Sequence, residues 1–289
     1  MDKTFNSFST NKKSFEMQDF LNSNSLVVKF AFLLLVIFGF IILLRIGINI
    51  VSYFFKPSDS PLLINGMIDA TQQLIIPQDP SNNGSVTIYR SINANDGIEF
   101  SWSVWMFISN LQVNQGIYKH VFSKGNSDLT DNGLIQPNNA PGLYIAPNTN
   151  SIVVIMNTFN VINEEIMIPN IPINKWVNVI IRCQNTTLDV YVNGTISRSI
   201  NLVGVPKQNY GDVFVAMNGG FSGYISNLQY YNYALGTAAI QGIVEKGPNT
   251  KLIGSNGMND PMRDYLSLRW FFYGAGNAYN PENPDTINT

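Results

Sequence analysis

From Phe30 to Leu44 the chain reads FAFLLLVIFGFIILL, an uncharged apolar run with a single glycine. Arg45 interrupts it, and IGINIVSYFF then carries the mostly apolar text to Phe55. The run has no polar face, unlike a helix that packs one side on a globular core. About 20 such residues cross ~30 Å of hydrocarbon, so the pattern predicts one transmembrane helix over residues 26–55. A cleaved signal peptide has an apolar centre of ~7–15 residues and ends on small ones; here bulky Tyr53, Phe54 and Phe55 follow. Two frames fit. Leu26–Leu44 spans with Lys29 snorkelling, or Phe30–Ile50 spans with Arg45 snorkelling along its aliphatic stem. Lys12, Lys13 and Lys29 precede the run, whereas Arg45 and Lys56 close it. Excess Lys and Arg marks the cytoplasmic side, so the expected topology has a cytosolic N-terminus and a translocated C-terminal domain.

The pattern changes after a short stalk, residues 56–61. Ile98, Phe100, Trp102, Val104, Met106 and Ile108 alternate with other residues, the period of a strand buried on one face. The opposite face begins with Glu99, Ser101 and Ser103 and continues with Trp105 and Phe107, which suits a central strand covered on one face and partly on the other. Leu143–Ile145 and Ile152–Met156 read as a strand pair around a Pro147–Asn150 turn. Val177, Val179, Ile181 and Cys183 share a face, and Leu188, Val190 and Val192 repeat the pattern. Asn193-Gly194 then signals a tight type I′ hairpin, with a return strand over Thr195–Leu202. Val213–Met217 and Tyr224–Tyr231 flank a Gly219-Gly220 turn, and Leu266–Tyr273 reads as a last strand. One helix fits, capped by Thr237, with Ile240, Ile243 and Val244 on one face and Gly247-Pro248 at its end. Many short strands separated by turn residues predict an all-β sandwich. Residues 1–25 read as a flexible polar tail, 62–275 as the sandwich and 276–289 as a C-terminal tail.

Composition narrows the chemistry. In 289 residues the net charge is −2 and only 12% are charged, so no basic field for nucleic acid exists. Cys183 is the sole cysteine. It excludes an intrachain disulfide and a multi-thiolate zinc site, and its apolar strand context predicts buried packing. Three sequons, at Asn83, Asn185 and Asn193, become glycosylation sites only if the domain enters the secretory lumen. The single histidine, His120, sits in strand-like Tyr118–Phe122, and a Ser-His-Asp triad would have to use it. No Gly-x-Ser-x-Gly elbow and no phosphate-binding or dinucleotide fingerprint is present.

The stretch IPINKWVNVIIRCQNTTLDVYVNGTISRSINL, residues 171–202, resembles the laminin-G-like branch of the concanavalin A-like lectin/glucanase superfamily. Trp176 opens one strand, and Leu188, Val190, Tyr191, Asn193 and Gly194 match its hairpin signature. The blocks 211–215 and 220–235 are similar to its closing strand and helix, and Glu99–Trp105 and Val121–Gly125 agree. The resemblance covers roughly residues 62–275 and implies a jelly-roll sandwich. Two flanks, Ile75–Pro80 with Tyr89–Ser91 and Gly97–Phe100, and Tyr265–Phe272, resemble membrane-anchored laminin-G-like proteins of large nucleocytoplasmic DNA viruses. That narrower likeness implies a virion membrane or minor capsid-associated component.

Glycoside hydrolases of this superfamily need two carboxylates across the sugar bond, arranged as Glu-x-Asp-x-x-Glu or a close variant; the chain has no such motif. Glu164 and Glu165 are adjacent, so a strand would turn them to opposite faces, and they read as a solvated loop pair. Relatives often bind calcium, which takes six to eight oxygens. Asp128 and Asp131 are the loop carboxylates that would contribute, although Asp-Asn-Gly is also an ordinary turn. Trp102, Trp176 and Trp270 are expected between the sheets. Tyr191, Tyr230, Tyr231 and Tyr233 are either core residues or a ligand-stacking face. The expectation is therefore a membrane-anchored, non-enzymatic module that binds protein or glycan. A membrane-bound carbohydrate-active enzyme and a purely architectural link between membrane and coat are the alternatives.

Overall fold

The computed structural model describes residues 25–56, 58–91, 93–94 and 97–253. The expected strand Leu266–Tyr273, Trp270, both tails apart from Ser25, and the domain's last residues lie outside them. The described chain divides into two compact units, residues 1–56 and 57–289.

The first unit holds helix α1, Leu26–Phe55. Its stretch Leu26–Phe54 is long and apolar enough to cross a membrane, and its side chains are not buried by protein. At 1.5 Å per residue it covers either spanning frame.

The second unit is a sandwich of two antiparallel sheets. The first runs in the order β1 (Met67–Asp69), β13 (Ser222–Tyr231), β4 (Gly97–Asn110), β9 (Trp176–Gln184), β10 (Thr187–Val192), β11 (Thr195–Asn201), with β3 (Asn93–Ala94) paired to β4. The second runs β2 (Leu74–Ile76), β12 (Asp212–Val215), β5 (Lys119–Gly125), β6 (Asn139–Ile145), β7 (Ile152–Met156), β8 (Glu164–Ile168). Consecutive strands pair in β9–β11 and β5–β8, whereas β1, β13, β4 and β9 in the first sheet, and β2, β12 and β5 in the second, join distant parts of the chain, as in a jelly roll.

The alternation in β4 explains its central place. Ile98, Phe100, Trp102, Val104, Met106 and Ile108 all enter the inter-sheet core, where they meet Val177, Val179, Ile181 and Cys183 of β9. Facing side chains such as Phe122, Leu143, Val154 and Val215 come from the second sheet. Burying each such residue contributes about 1.5–3 kcal/mol. The other face of β4 and β9 is covered by helix α2, Thr237–Lys246, whose Ile240 packs with Ile180, Tyr231 and Leu235. Beneath it, Arg182 bonds Asp189 at 2.8 Å and donates from Nε to the Leu235 carbonyl at 3.0 Å. Asn193 and Gly194 have φ of 50° and 79°, the positive pair of a type I′ turn.

Three expectations are corrected. Gly236, not Thr237, is the N-cap of α2, and no side chain caps it. Trp176 is half-buried against Phe107 on the outer face rather than between the sheets. It opens β9 in the register that turns Val177 inward, so alternation sends it outward. The Glu164–Glu165 pair begins β8 instead of lying in a loop. Its Glu164 carboxylate accepts the Val203 N–H at 2.9 Å, while Glu165 is exposed. Of the tyrosines left open between core and stacking face, Tyr230 and Tyr231 are core residues, Tyr191 is half-buried and Tyr233 is exposed.

Candidate functional site

A cleft of about 150 Å³ opens at one end of the sandwich. Its floor comes from the core alternation itself. Phe100 and Trp102 of β4 and Tyr230 of β13 are buried there. The Trp102 ring stacks on Phe122 at 5.2 Å and lies 5.0 Å from the Tyr230 ring. The floor is therefore rigid and aromatic.

Its walls are loops. Ile88–Arg90 precede β3, and Gln208–Tyr210 precede β12. Arg90 Nε donates to Gln208 Oε1 at 2.9 Å, and Gln208 Nε2 donates to Ser91 Oγ. These bonds tie the two walls together and pre-orient a planar guanidinium and an amide. Tyr210 stands at the rim, 86% exposed. On the other side Lys124 Nζ donates to the carbonyls of Gly211 at 2.7 Å and Asn209 at 3.0 Å. Burial pulls its pKa down to about 8, and the charge of Asp212 opposes that shift. None of the lining side chains is a carboxylate. Phe100, Trp102 and Tyr230 are only 3%, 1% and 4% exposed, so the floor is apolar support with little open ring face, and it is the exposed Tyr210 with the directional donors that can hold a ring by stacking and hydrogen bonds. Clefts that enclose a whole small molecule run to ~300–1,000 Å³, so this one takes a single ring or the end of a longer chain.

The sequence-derived candidates fall elsewhere. Asp128 and Asp131 are exposed on the loop between β5 and β6. The Asp128 carbonyl accepts the Gln136 N–H at 2.9 Å, and its carboxylate lies 3.4 Å from Asn126 Nδ2. Among the described residues no three His, Cys, Asp or Glu side chains converge, so these two carboxylates do not by themselves assemble a calcium shell of six to eight oxygens. Phe30, Leu44 and Arg45 lie within α1. Asn83, Asn185 and Asn193 are all exposed, Asn193 with its Oδ1 accepting the Asn178 N–H at 2.9 Å.

His120 is buried in β5. The Met217 N–H donates to its Nδ1 at 3.1 Å, so Nε2 carries the proton that faces Ser123 Oγ at 2.9 Å. Burial pulls its pKa down to about 3. Cys183 is buried, and desolvation pushes its thiol up to about 12.

Sequence reasoning missed Tyr210, Gln208 and Asn209 as a site. They lie in a loop, where no periodicity operates, and only the fold brings them to Arg90. The sole sequence signal was an aromatic residue isolated in polar text.

A laminin G profile described as the concanavalin A-like lectin/glucanases superfamily matches residues 80–241, more than half of the chain. No curated protein matches it. Among solved structures the chain is similar to the botulinum neurotoxin serotype D ligand binding domain in complex with N-acetylneuraminic acid. That likeness has 15% identity and a TM-score of 0.45, over 62% of this chain and 41% of that one. It is also similar to the botulinum neurotoxin serotype G binding domain, with 16% identity and a TM-score of 0.41, over 52% of this chain and 36% of that one. The chain thus spans less than half the length of either structure.

Proposed function

We propose that this chain, which belongs to the concanavalin A-like lectin/glucanase superfamily, is a membrane-anchored saccharide-binding module. The cleft over Trp102 takes the sugar and α1 holds the module to a bilayer. The observation that carries the reading is the chemistry of the cleft. Over an apolar floor, the exposed rim residue Tyr210 offers a stacking face and the Arg90 guanidinium held by Gln208 offers fixed donors. The lining supplies no carboxylate pair, which glycoside hydrolysis uses as acid and as base or nucleophile. Binding without turnover is the function that this set supports.

The membrane part rests on length, apolarity and the bulky end of the run. A charge at a helix centre costs about 2.5–3.5 kcal/mol, and each Leu, Ile or Phe returns ~0.3–0.6, so the uncharged residues before Arg45 outweigh it. The Lys and Arg balance directs the domain to the translocated side. Tethering concentrates the module at a surface, so weak contacts suffice. The viral likeness of the flanking residues supports a virion or host-derived membrane as the place, and mass spectrometry of purified particles tests that.

The test of function is a glycan array probed with the full-length chain in lipid nanodiscs, with reducing-end release measured on the same sugars. Retention on a restricted set without release supports the module. Release would establish the carbohydrate-active enzyme, and binding to a coat protein with no sugar retained would establish the architectural reading.

A further inference from the structure

The charge lining the cleft has one sign. Arg90 and Lys124 are among its described lining residues, and no aspartate or glutamate is. The two cations are placed differently. Lys124 is buried, and its Nζ is committed to the carbonyls of Gly211 and Asn209, with Asn209 Oδ1 at 3.4 Å. Three acceptors use the three hydrogens of an ammonium, so Lys124 gives the wall positive charge and keeps no donor for a ligand. The carboxylate that acts on it, Asp212, stands outside the lining and accepts the Gln78 N–H at 2.8 Å.

Arg90 is the opposite case. It is exposed, and within the described residues its guanidinium is bonded through Nε alone, to Gln208 Oε1 at 2.9 Å. Gln208 is in turn fixed by its bond to buried Ser91. The guanidinium is therefore held by its inner edge, and the Nη1 and Nη2 groups keep no partner among the described residues. These two groups form the open end of a planar fork that matches a carboxylate or sulfate with two parallel bonds. Bonds of that kind are about twice as strong as neutral ones. A carboxylate in the wall would repel an anionic ligand, and the lining has none. An uncharged sugar would instead displace water from the guanidinium and leave its charge unpaired, which costs free energy.

We infer that the saccharide taken by the cleft is anionic: a carboxylate or sulfate on the sugar meets Nη1 and Nη2 of Arg90 while the ring lies against Tyr210. Gln208 is the positioning residue that aims the fork, and Lys124 adds field without contact. This inference rests on the saccharide reading of the cleft and narrows it from sugars in general to acidic ones.

The test uses the full-length chain in lipid nanodiscs on an array of matched pairs. Each carboxylated saccharide stands beside its methyl ester, and each sulfated one beside its desulfated form. The expected result is retention of the anionic member about tenfold or more above its neutral partner, through the charge-assisted pair. That preference should shrink between about 0.1 and 1 M salt, where the screening length falls from ~10 to ~3 Å. Preference in the carboxylate pairs or in the sulfate pairs identifies which anion the fork takes. Arg90→Gln should abolish the preference, and Arg90→Lys, which keeps the charge but loses the fork, should restore it in part. Thermal unfolding of each variant confirms an unchanged fold. Equal retention of both members of the pairs would overturn the anionic class and leave the saccharide reading standing. A preference that survives Arg90→Gln in a folded chain would overturn the assignment to this fork. Retention of no saccharide at all would remove the saccharide reading, and this inference with it.

Discussion

His120 carries a measurable consequence at the scale of single residues. Its pKa falls from 6.5 to about 3 because the folded interior gives its charged form no water. Between those values the unfolded chain binds a proton that the folded chain does not, so stability rises with pH there and is lost as pH falls. The slope this histidine contributes is about 1.4 kcal/mol per pH unit. Replacing it in His120→Gln should flatten the pH dependence of urea unfolding between pH 6.5 and 4; an unchanged slope would mean that the buried neutral ring is wrong. Its place in a strand was legible from the apolar text around it. Its partners were not, because the Met217 N–H comes from a turn 97 residues away. Tyr210 was illegible for the same kind of reason: its neighbours in sequence are polar, and its meaning arises only where two loops meet.

Elements were easier to read than sites. The alternation in β4, β9 and β10 named the inward residues of the first sheet, since period-two burial leaves a direct mark. Asn193-Gly194 marked its hairpin for the steric reason that both positions need positive φ. The short strands β1, β2 and β3 escaped detection because two or three residues carry no period. Two glycines give opposite expectations. Gly223 has φ of +152°, and an added Cβ would lie 1.8 Å from the Phe107 carbonyl oxygen where β13 crosses β4. Backbone strain of this kind costs about 1–3 kcal/mol, and the clash adds to it, so Gly223→Ala should lower the denaturation midpoint markedly. Gly242 lies inside α2 with nothing within 4 Å of its Cβ position. Gly242→Ala should stabilise by about 0.4–1 kcal/mol. If both substitutions were neutral, the β13 register and the exposed face of α2 would both be in error.

At the scale of the whole molecule the chain joins an apolar helix to a concanavalin A-like sandwich. The helix was the plainest feature of the sequence, because Leu26–Phe54 is apolar on every side and long enough to cross a membrane. Replacing Leu35 and Ile42 by arginine puts two charges near its centre, each costing about 2.5–3.5 kcal/mol on insertion. The double variant should be extracted by alkaline carbonate, whereas the natural chain stays in the pellet. Extraction of both would contradict the anchor. The sandwich brings aromatic core residues and distant polar loops to one opening, and the claim that this opening binds a sugar stands above the others. The direct measurement is calorimetric titration of an array-selected saccharide into the full-length protein in nanodiscs, beside Tyr210→Ala. The expected result is binding that weakens about tenfold or more in the variant, a loss of ~1.4 kcal/mol, with the unfolding temperature unchanged. Equal affinity in the two proteins would contradict the assignment of the cleft.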